Sequence, residues 1–566
     1  MEPLDRYFGI FDSEDRLVGG GGIEGNVMKC IALSEATRNE SLTNPLVSRI
    51  RESALADGHQ EIFIFTKPEN RIIFESLAFH TVGMAEKAIL MESDPRGIGS
   101  YCRNLSELAE KTMTNANERR GVIVMNCNPL TLGHLYLIET AAKRVDRLFI
   151  IPVKDSDTEY TYVERKSMME KATCHLKNVT IVPGSPYSIS RATFPTYFLK
   201  ELSDASITHI GLDLDIFSRH IAPALGVCVR FIGTEPTDAL TREYNTFMHR
   251  ILPQKGIEVE EIARLENNGN PVSASRVRKL SDNMQIGAAM RLLPESSIPY
   301  LLSHLATRCL REELDLTPKP GLVDQDDSGS HIDMDHTLMS HSIDALQPWF
   351  RETCEIVRTH DHKNAETARQ DLVTLIKTTG LAAEKAMLEA TGGVNTHRGA
   401  LFSFGLTLAA AMLLHKKHVS IDMASLSAQI QQLATDFKGG TDTNGARAKQ
   451  KYGIKGAAEI AREGYLQLYS DWLPFWIRVM TDKDGKHKLL LHIMSTLDDT
   501  NIYHRGGTEG AIYVKETAKR LLQNLNIQTL LQANYDFIGL NLSPGGAADM
   551  FALTLLTCSL LTGAET

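Results

Sequence analysis

The chain changes its periodicity once, near Leu292–Pro299, and that change restricts it to two architectures joined end to end. Before it, from Glu118 to Ser297, apolar runs alternate with helical stretches. Val122–Met125, Leu148–Val153, Val179–Val182, Ile207–Leu212 and Cys228–Ile232 read as buried strands. This alternation predicts a doubly wound parallel α/β sheet with its ligand at the C-terminal strand ends. Beyond the change the chain reads all-helical: Tyr300–Leu314, Leu372–Ala390, Gly399–His415, Met423–Phe437, His487–Thr496, Gly510–Asn524 and Asp549–Leu561, punctuated by glycine-bearing polar segments. Ahead of both lies Met1–Asn115, with strand-like Arg6–Phe11, Val27–Leu33 and Ile62–Thr66 and a helix at Thr43–Ala56. Gly19–Gly22 reads as a turn or bulge there, since no Lys-Ser/Thr follows to make a phosphate loop. The expected organisation is multidomain α/β plus all-α, with boundaries 1–115, 116–298 and 299–566.

The most informative stretch is Gly121–His134. A buried strand breaks at Asn126-Cys127-Asn128-Pro129, and Thr131-Leu132-Gly133-His134 opens a helix with Leu135, Leu137, Ile138 and Ala141 on its apolar side. Free backbone N–H groups and the positive helix end face an anion in this geometry. Gly133 admits a close backbone approach, and His134 can donate to a phosphoryl oxygen as charge builds on it. The competing reading is a helix-start histidine that only caps its own turn. Far downstream, Ser273-Ala274-Ser275-Arg276-Val277-Arg278 places hydroxyls and arginines at another helix start, suited to clamp outer phosphates; such a cluster alone is more often an ordinary capped surface helix. Other candidates also follow strands: Lys154-Asp155-Ser156, Gly184-Ser185, Asp213 and Gly233-Thr234-Glu235.

The net charge of −10 excludes a broad basic nucleic-acid footprint, so anionic substrates must be held by local arginines and helix ends. Eight cysteines without a C-x-x-C fit reduced thiols in a cytoplasmic protein. The N-terminus lacks a basic-then-apolar signal pattern. The apolar run Leu401–Leu414 is short for a bilayer span, so a buried helix is expected and no membrane partner.

T-x-G-H with a later S-x-S-x-x-R resembles the nucleotidyltransferase superfamily. Asn126–His134, Ser190-Arg191-Ala192-Thr193-Phe194-Pro195, Gly233-Thr234-Glu235-Pro236 and Ser273–Arg278 resemble, more narrowly, the acetate:citrate lyase ligase family, over roughly Gly19 to Tyr300. The resemblance implies that acetate attacks the α-phosphate of ATP to give acetyl-AMP and pyrophosphate. The prosthetic-group thiol of a citrate lyase carrier subunit then takes the acetyl group. It assigns His134 and Thr131 to the phosphates, Ser275 and Arg278 to pyrophosphate, Lys154 to the α/β bridge, and Glu235 with Arg242 to the nucleoside side. Asn128, Gly133, Gly233 and Ser273 complete the nucleotide contacts. Met1–Asn115 resembles part of a GNAT-type acetyltransferase, but its pyrophosphate loop reads Arg38-Asn39-Glu40-Ser41-Leu42-Thr43 and has lost the glycines. A docking role for a pantetheine arm or partner is expected there.

In the helical half, five polar segments hold nearly all the reactive groups: Thr317–Asp324, Gly329–Asp335, Thr391–Gly399, Asp498–Gly507 and Asn541–Asp549. Acids, basic groups and glycines between apolar helices predict one polar site atop a bundle, its carboxylates suited to Mg²⁺ with bridging phosphates. The His-x-Asp-x-Asp of His331–Asp335 reads alternatively as a solvated loop or helix cap.

The motifs T-P-K-P-G-L-V-D, T-G-G-V-N-T-H-x-G and N-L-S-P-G-G-x-A-D resemble the triphosphoribosyl-dephospho-CoA synthase family over roughly Tyr300 to Thr566. This implies that the 2′-hydroxyl of 3′-dephospho-CoA attacks C1′ of ATP and expels adenine. Asp333 or Asp499 would be the base, and Asp333, Asp335 and Asp499 the metal ligands. His331, His397, Arg398 and Arg505 would hold the triphosphate or the leaving base, with Lys319, Asn395 and Asn501 as further contacts. Where the family shows G-A-R, this chain has Gly456-Ala457-Ala458, leaving Arg447 or Arg462 to substitute. Fusion to an acetate ligase favours citrate lyase over malonate decarboxylase as the enzyme served. The rival readings are a nucleotide-binding scaffold for citrate lyase subunits and an adenylyltransferase for another small molecule.

Overall fold

The computed structural model describes residues 4–35, 42–115, 117–155, 158–188, 202–236, 238–360, 365–437, 447 and 450–561. Chain contacts divide it into two compact units, Met1–Ala274 and Ser275–Thr566. That division falls inside the helix Ala274–Asp282, ahead of the 298/299 boundary expected from the sequence.

The first unit holds two sheets. Six strands, Arg6–Phe11, Leu17–Glu24, Val27–Leu33, Phe63–Thr66, Ile89–Glu92 and His80–Met84, lie side by side in that order. Only Val27–Leu33 with Phe63–Thr66 pairs parallel. Side chains alternate across this sheet: Ile62, Ile64, Ile89 and Met91 pack with the helix Thr43–Ala56, whereas Phe63, Phe65 and Leu90 join the core that includes Val122 and Phe149. Gly19–Gly22 sits inside a strand whose register shifts between Gly20 and Gly22, as a bulge would. Arg38–Ser41 and Ser190–Pro195 lie outside the described residues.

The second sheet is parallel throughout. Its order is Glu258–Ile262, Val229–Gly233, Arg120–Met125, Arg147–Pro152, Val179–Ile181. In chain order this reads 5-4-1-2-3, so the winding direction reverses between Arg120–Met125 and Val229–Gly233. A crevice opens at the carboxyl ends of strands flanking such a reversal. The run Ile207–Leu212 is not a strand, as expected from the sequence, but part of the helix Leu202–Ile216. A short apolar run reads alike in a buried strand and a buried helix, and here Leu212 and Ile216 pack against Gly83 of the first sheet. Asp213 therefore follows no strand; it accepts from the Tyr244 hydroxyl. The strand missed in its place, Glu258–Ile262, is acid-rich; Arg119 pairs with Glu258 and Glu260, and Arg144 with Glu260.

The second unit is helical. The helices expected from periodicity are present as Ile298–Leu314, Ala365–Ala390, Arg398–Lys416, Met423–Thr435, Gly485–Thr496, Thr500–Gln523 and Gly545–Leu561. His336–Thr359 and Ile527–Gly539 were not anticipated. Asp498–Gly507 is mostly helical rather than a loop, with a break at Gly507, φ 63°. Arg398–Lys416 is long and apolar enough by composition to cross a bilayer, yet 67% of that window is buried inside the bundle. None of the eight cysteines forms a disulfide.

Candidate functional site

In the first unit the sheet's reversal point carries the Thr131–His134 turn. Thr131 caps the helix Leu132–Ala142: its Oγ1 accepts from the His134 N–H at 3.3 Å, and its own N–H donates to His134 Nδ1 at 3.1 Å. The cap fixes the tautomer. With Nδ1 accepting, the proton resides on Nε2, which makes no hydrogen bond among the described residues. Burial and the Arg264 guanidinium hold the His134 pKa down to about 4, so at neutral pH the ring is an uncharged donor. The capping and phosphate readings of His134 are thus compatible, because each uses a different ring nitrogen.

Gly133 touches the downstream motif's approach: a Cβ there would lie 2.4 Å from the Val272 carbonyl oxygen. Val272 directly precedes Ser273, and Ser275 and Arg278 follow in the helix Ala274–Asp282. Lys154 is exposed just past the strand Arg147–Pro152, and Gly233 ends its own strand. Asn128 accepts from the Tyr160 N–H at 3.0 Å. Glu235 and Arg242 order the next loop: Glu235 pairs with Arg264, and Arg242 donates to the carbonyls of Glu235 and Pro236 at 3.1 and 2.7 Å.

Two arginines here escaped the sequence reading. Arg264 follows the unanticipated strand, so nothing marked it. Arg165 is fully buried and donates to the carbonyls of Asn126, Val153, Asp155 and Tyr160, tying the Asn126–Pro129 loop to the next strand end. Its signal was the capping box Thr161-x-x-Glu164 that starts its helix.

In the second unit one cavity of 1370 Å³ is lined by residues from all five polar segments. It gathers His331, Asp333, Asn395, His397, Arg398, Asp499, Asn501 and Arg505, and also Arg447, Arg462 and Ala458. His331 Nε2 lies 2.9 Å from Ser543 Oγ and Nδ1 3.3 Å from Arg505, which further binds the Ser330 carbonyl at 2.7 Å. Burial and Arg505 push the His331 pKa down. His397 is anchored through Nδ1 to Ser342 Oγ at 2.8 Å. Its Nε2 is buried with no partner among the described residues. Burial and Lys319 hold its pKa down to about 4. Arg398 pairs with Glu384.

Three expectations change. Lys319 is not a lining residue: it is 1% exposed and its ammonium is 2.5 Å from Glu313, behind the cavity. Asp335 is exposed and caps the helix His336–Thr359 through the Leu338 N–H at 2.8 Å. Asp499 accepts from the N–H of Asn501 at 2.8 Å and of Ala547 at 2.9 Å, clasping two helix starts. Its carboxyl is pushed up to about 6 by burial. Among the described residues no three His, Cys, Asp or Glu side chains are placed to share a metal ion. Of the donors expected for Mg²⁺ with bridging phosphates, Asp335 and Asp499 accept from backbone N–H groups and Asp333 is exposed. Ser342, mid-helix, gave no signal in the sequence.

The geometry agrees with comparison to known proteins. Residues 120–301 match the family model of the citrate lyase ligase C-terminal domain, and residues 299–565 that of ATP:dephospho-CoA triphosphoribosyl transferase. The [citrate [pro-3S]-lyase] ligase of Klebsiella pneumoniae is 41% identical over 298 residues, 52% of this chain and 86% of the relative. That of Escherichia coli strain K12 is 37% identical over 294 residues, 51% and 82% respectively. A probable 2-(5''-triphosphoribosyl)-3'-dephosphocoenzyme-A synthase of Salmonella gallinarum is 35% identical over 271 residues, 45% of this chain and 88% of the relative. The chain belongs to the citrate lyase ligase family through its first half and to the triphosphoribosyl-dephospho-CoA synthase family through its second.

Proposed function

We propose that this chain is a bifunctional maturation enzyme of citrate lyase that uses ATP at two separate sites. The observation carrying the reading is that each half holds a neutral histidine at a helix start with one ring nitrogen tied down and the other open.

In the ligase half, acetate attacks the α-phosphate of ATP and releases pyrophosphate. Acetate is already ionised, so the step needs no protein base; positioning and charge stabilisation suffice. His134 Nε2–H and the N-terminal amides of the helix Leu132–Ala142 stabilise the phosphates. Lys154 bridges the α- and β-phosphates, Ser273, Ser275 and Arg278 take pyrophosphate, and Gly233, Glu235 and Arg242 shape the nucleoside side. The acetyl group then passes to the thiol of the carrier subunit's prosthetic group. The fold of 116–298 is read as nucleotidyltransferase-like, supported by the strand reversal beside Thr131–His134. The region 1–115 is read as a partial GNAT-like docking module, supported by its mixed sheet with one parallel pair.

In the synthase half, the 2′-hydroxyl of 3′-dephospho-CoA displaces adenine from C1′ of ATP with the triphosphate retained. Arg398, Arg447, Arg462 and Arg505 take the triphosphate, Arg447 and Arg462 standing in for the arginine absent at Ala458. Asp333, exposed 3.6 Å from His331, takes the hydroxyl proton, because both oxygens of Asp499 are engaged by backbone N–H groups. Mg²⁺ enters with the nucleotide's phosphates rather than in a protein-held site.

The test uses purified chain. Acetate-dependent pyrophosphate release and restored citrate cleavage by thiol-form citrate lyase are expected, together with free adenine from ATP and dephospho-CoA. Pyrophosphate release that ignores acetate would point to another adenylyl acceptor; AMP without adenine would remove the second activity.

A further inference from the structure

One corner of the helical cavity has no task in the scheme above. Tyr465 follows Gly464 after the helix Ala457–Arg462, and its backbone adopts φ 55°, a left-handed conformation that side chains rarely accept. The residue is 2% exposed, borders the cavity, and its hydroxyl is buried with no partner among the described residues. A hydroxyl so placed costs stability unless a ligand satisfies it.

Asp549 lies close enough to Tyr465 for their charges to interact. It stands in the helix Gly545–Leu561 just past its first turn, and a Cβ on Gly399 would lie 2.0 Å from its Oδ2, so a side chain at position 399 would displace the carboxyl. Glu313 and Asp499 are its charged neighbours. Burial and these two acids hold the Asp549 carboxyl well above the usual carboxylate range. The unpartnered His397 Nε2 faces the same cavity.

The charged groups beside Asp549 are Glu313 and Asp499, with no arginine among them, and the arginines of the cavity already suit the triphosphate. A neutral ring with donor and acceptor atoms on its edge meets the remaining groups. Leu310 and Ala552, each one turn from Glu313 and Asp549 on their helices, add apolar lining for its faces.

We propose that Tyr465, Asp549 and His397 form the subsite for the purine base that is released, with Asp549 donating a proton to a ring nitrogen of that base. This rests on the synthase reading given above. The C1′–N9 bond breaks with its electron pair passing to N9, and the Asp549 proton neutralises the base at another ring nitrogen. The dephospho-CoA oxygen bonds to C1′, its proton goes to Asp333 and on to solvent, and solvent returns a proton to Asp549. Atoms and charge balance without a further reactant.

Two measurements test this on the full chain, with thermal unfolding and ligase turnover of each variant as folding controls. The first is turnover with ATP and with N7-methylated ATP, whose cationic base leaves without protonation. Asp549→Asn is expected to lower kcat with ATP by about 10²–10⁴-fold. With the methylated nucleotide it should stay within about tenfold of the unsubstituted chain. Equal losses with both nucleotides, or no loss with ATP, overturn the proton-donor role. The second is calorimetric binding of free adenine, which needs no turnover. Tyr465→Phe should weaken adenine and raise the KM for ATP by about tenfold with kcat nearly unchanged. Unaltered adenine affinity in both Tyr465→Phe and Asp549→Asn overturns the subsite. A chain that binds adenine in this way yet never releases it from ATP would instead defeat the reaction on which the subsite's catalytic role rests.

Discussion

His134 and His397 both stand at helix starts and are both held near pKa 4 by burial beside a cation, Arg264 for one and Lys319 for the other. They differ in how Nδ1 is secured. His134 is gripped by Thr131, three residues earlier, in a closed capping box. His397 is gripped by Ser342, which is 55 residues earlier and on another helix. A histidine ring can thus be held by a local turn or by packing between distant elements, and only the first arrangement is written in contiguous residues.

Separate removal of the two rings should break the comparison most sharply. His134→Ala is expected to cost about 2.7–4 kcal/mol of the barrier to acetate-dependent pyrophosphate release, leaving adenine release intact. His397→Ala should do the reverse. Joint loss of both activities from either substitution would show that the sites are not independent.

The glycines beside each histidine give a smaller effect. Gly133→Ala drives a Cβ to 2.4 Å from the Val272 backbone oxygen, which cannot swing away. A cost of about 1–3 kcal/mol in denaturant unfolding is expected, with ligase activity falling. Gly399→Ala meets the Asp549 side chain instead, which can rotate. It should lower adenine release with less loss of stability.

The anchors come next. Thr131→Ala should cost about 1 kcal/mol of stability as a lost helix cap. Ser342→Ala should lower adenine release by roughly tenfold, about one hydrogen bond's worth, without altering the ligase. Thr131→Ser restoring the first, and Ser342→Thr the second, would identify the hydroxyl as the acting group.

The gentlest probe is pH. His134 has a folded pKa of about 4 against 6.5 for the ordinary ring. As pH falls from 6.5 the unfolded chain binds the proton first, so the stability owed to a neutral ring is complete above pH 6.5 and disappears towards pH 4. His397 behaves alike, but Asp499, raised to about 6, acts in the opposite sense between its ordinary value of 3.8 and 6. Urea unfolding of His134→Gln should therefore lose less stability between pH 6.5 and 4 than the unsubstituted chain. An identical slope would remove the buried neutral ring from the account.

The difference between the sites also explains what could be read in advance. Thr131-Leu132-Gly133-His134 announced itself because a strand, a turn and a capped helix are consecutive in the chain. Most helices of the second unit were legible because their apolar period is local. Ile207–Leu212 misled because burial on several sides erases the period that separates strand from helix. Glu258–Ile262 was missed because its acids are balanced by Arg119 and Arg144, far earlier in the chain. The contacts of two expected metal ligands were hidden for a related reason: Asp335 and Asp499 accept from backbone N–H groups that only the folded helices present.

The sequence by itself determined the two families, the order of strands and helices around the first motif, and the identity of most residues facing the helical cavity. These depend on near neighbours, whose geometry follows from propensity, capping and hydrophobic period. Tertiary structure decided which nitrogen of His397 stays open, that Lys319 pairs inward with Glu313, and that Asp549 meets Gly399 and Tyr465. Burial and long-range pairing change what a side chain can do, and both exist only once distant segments have packed.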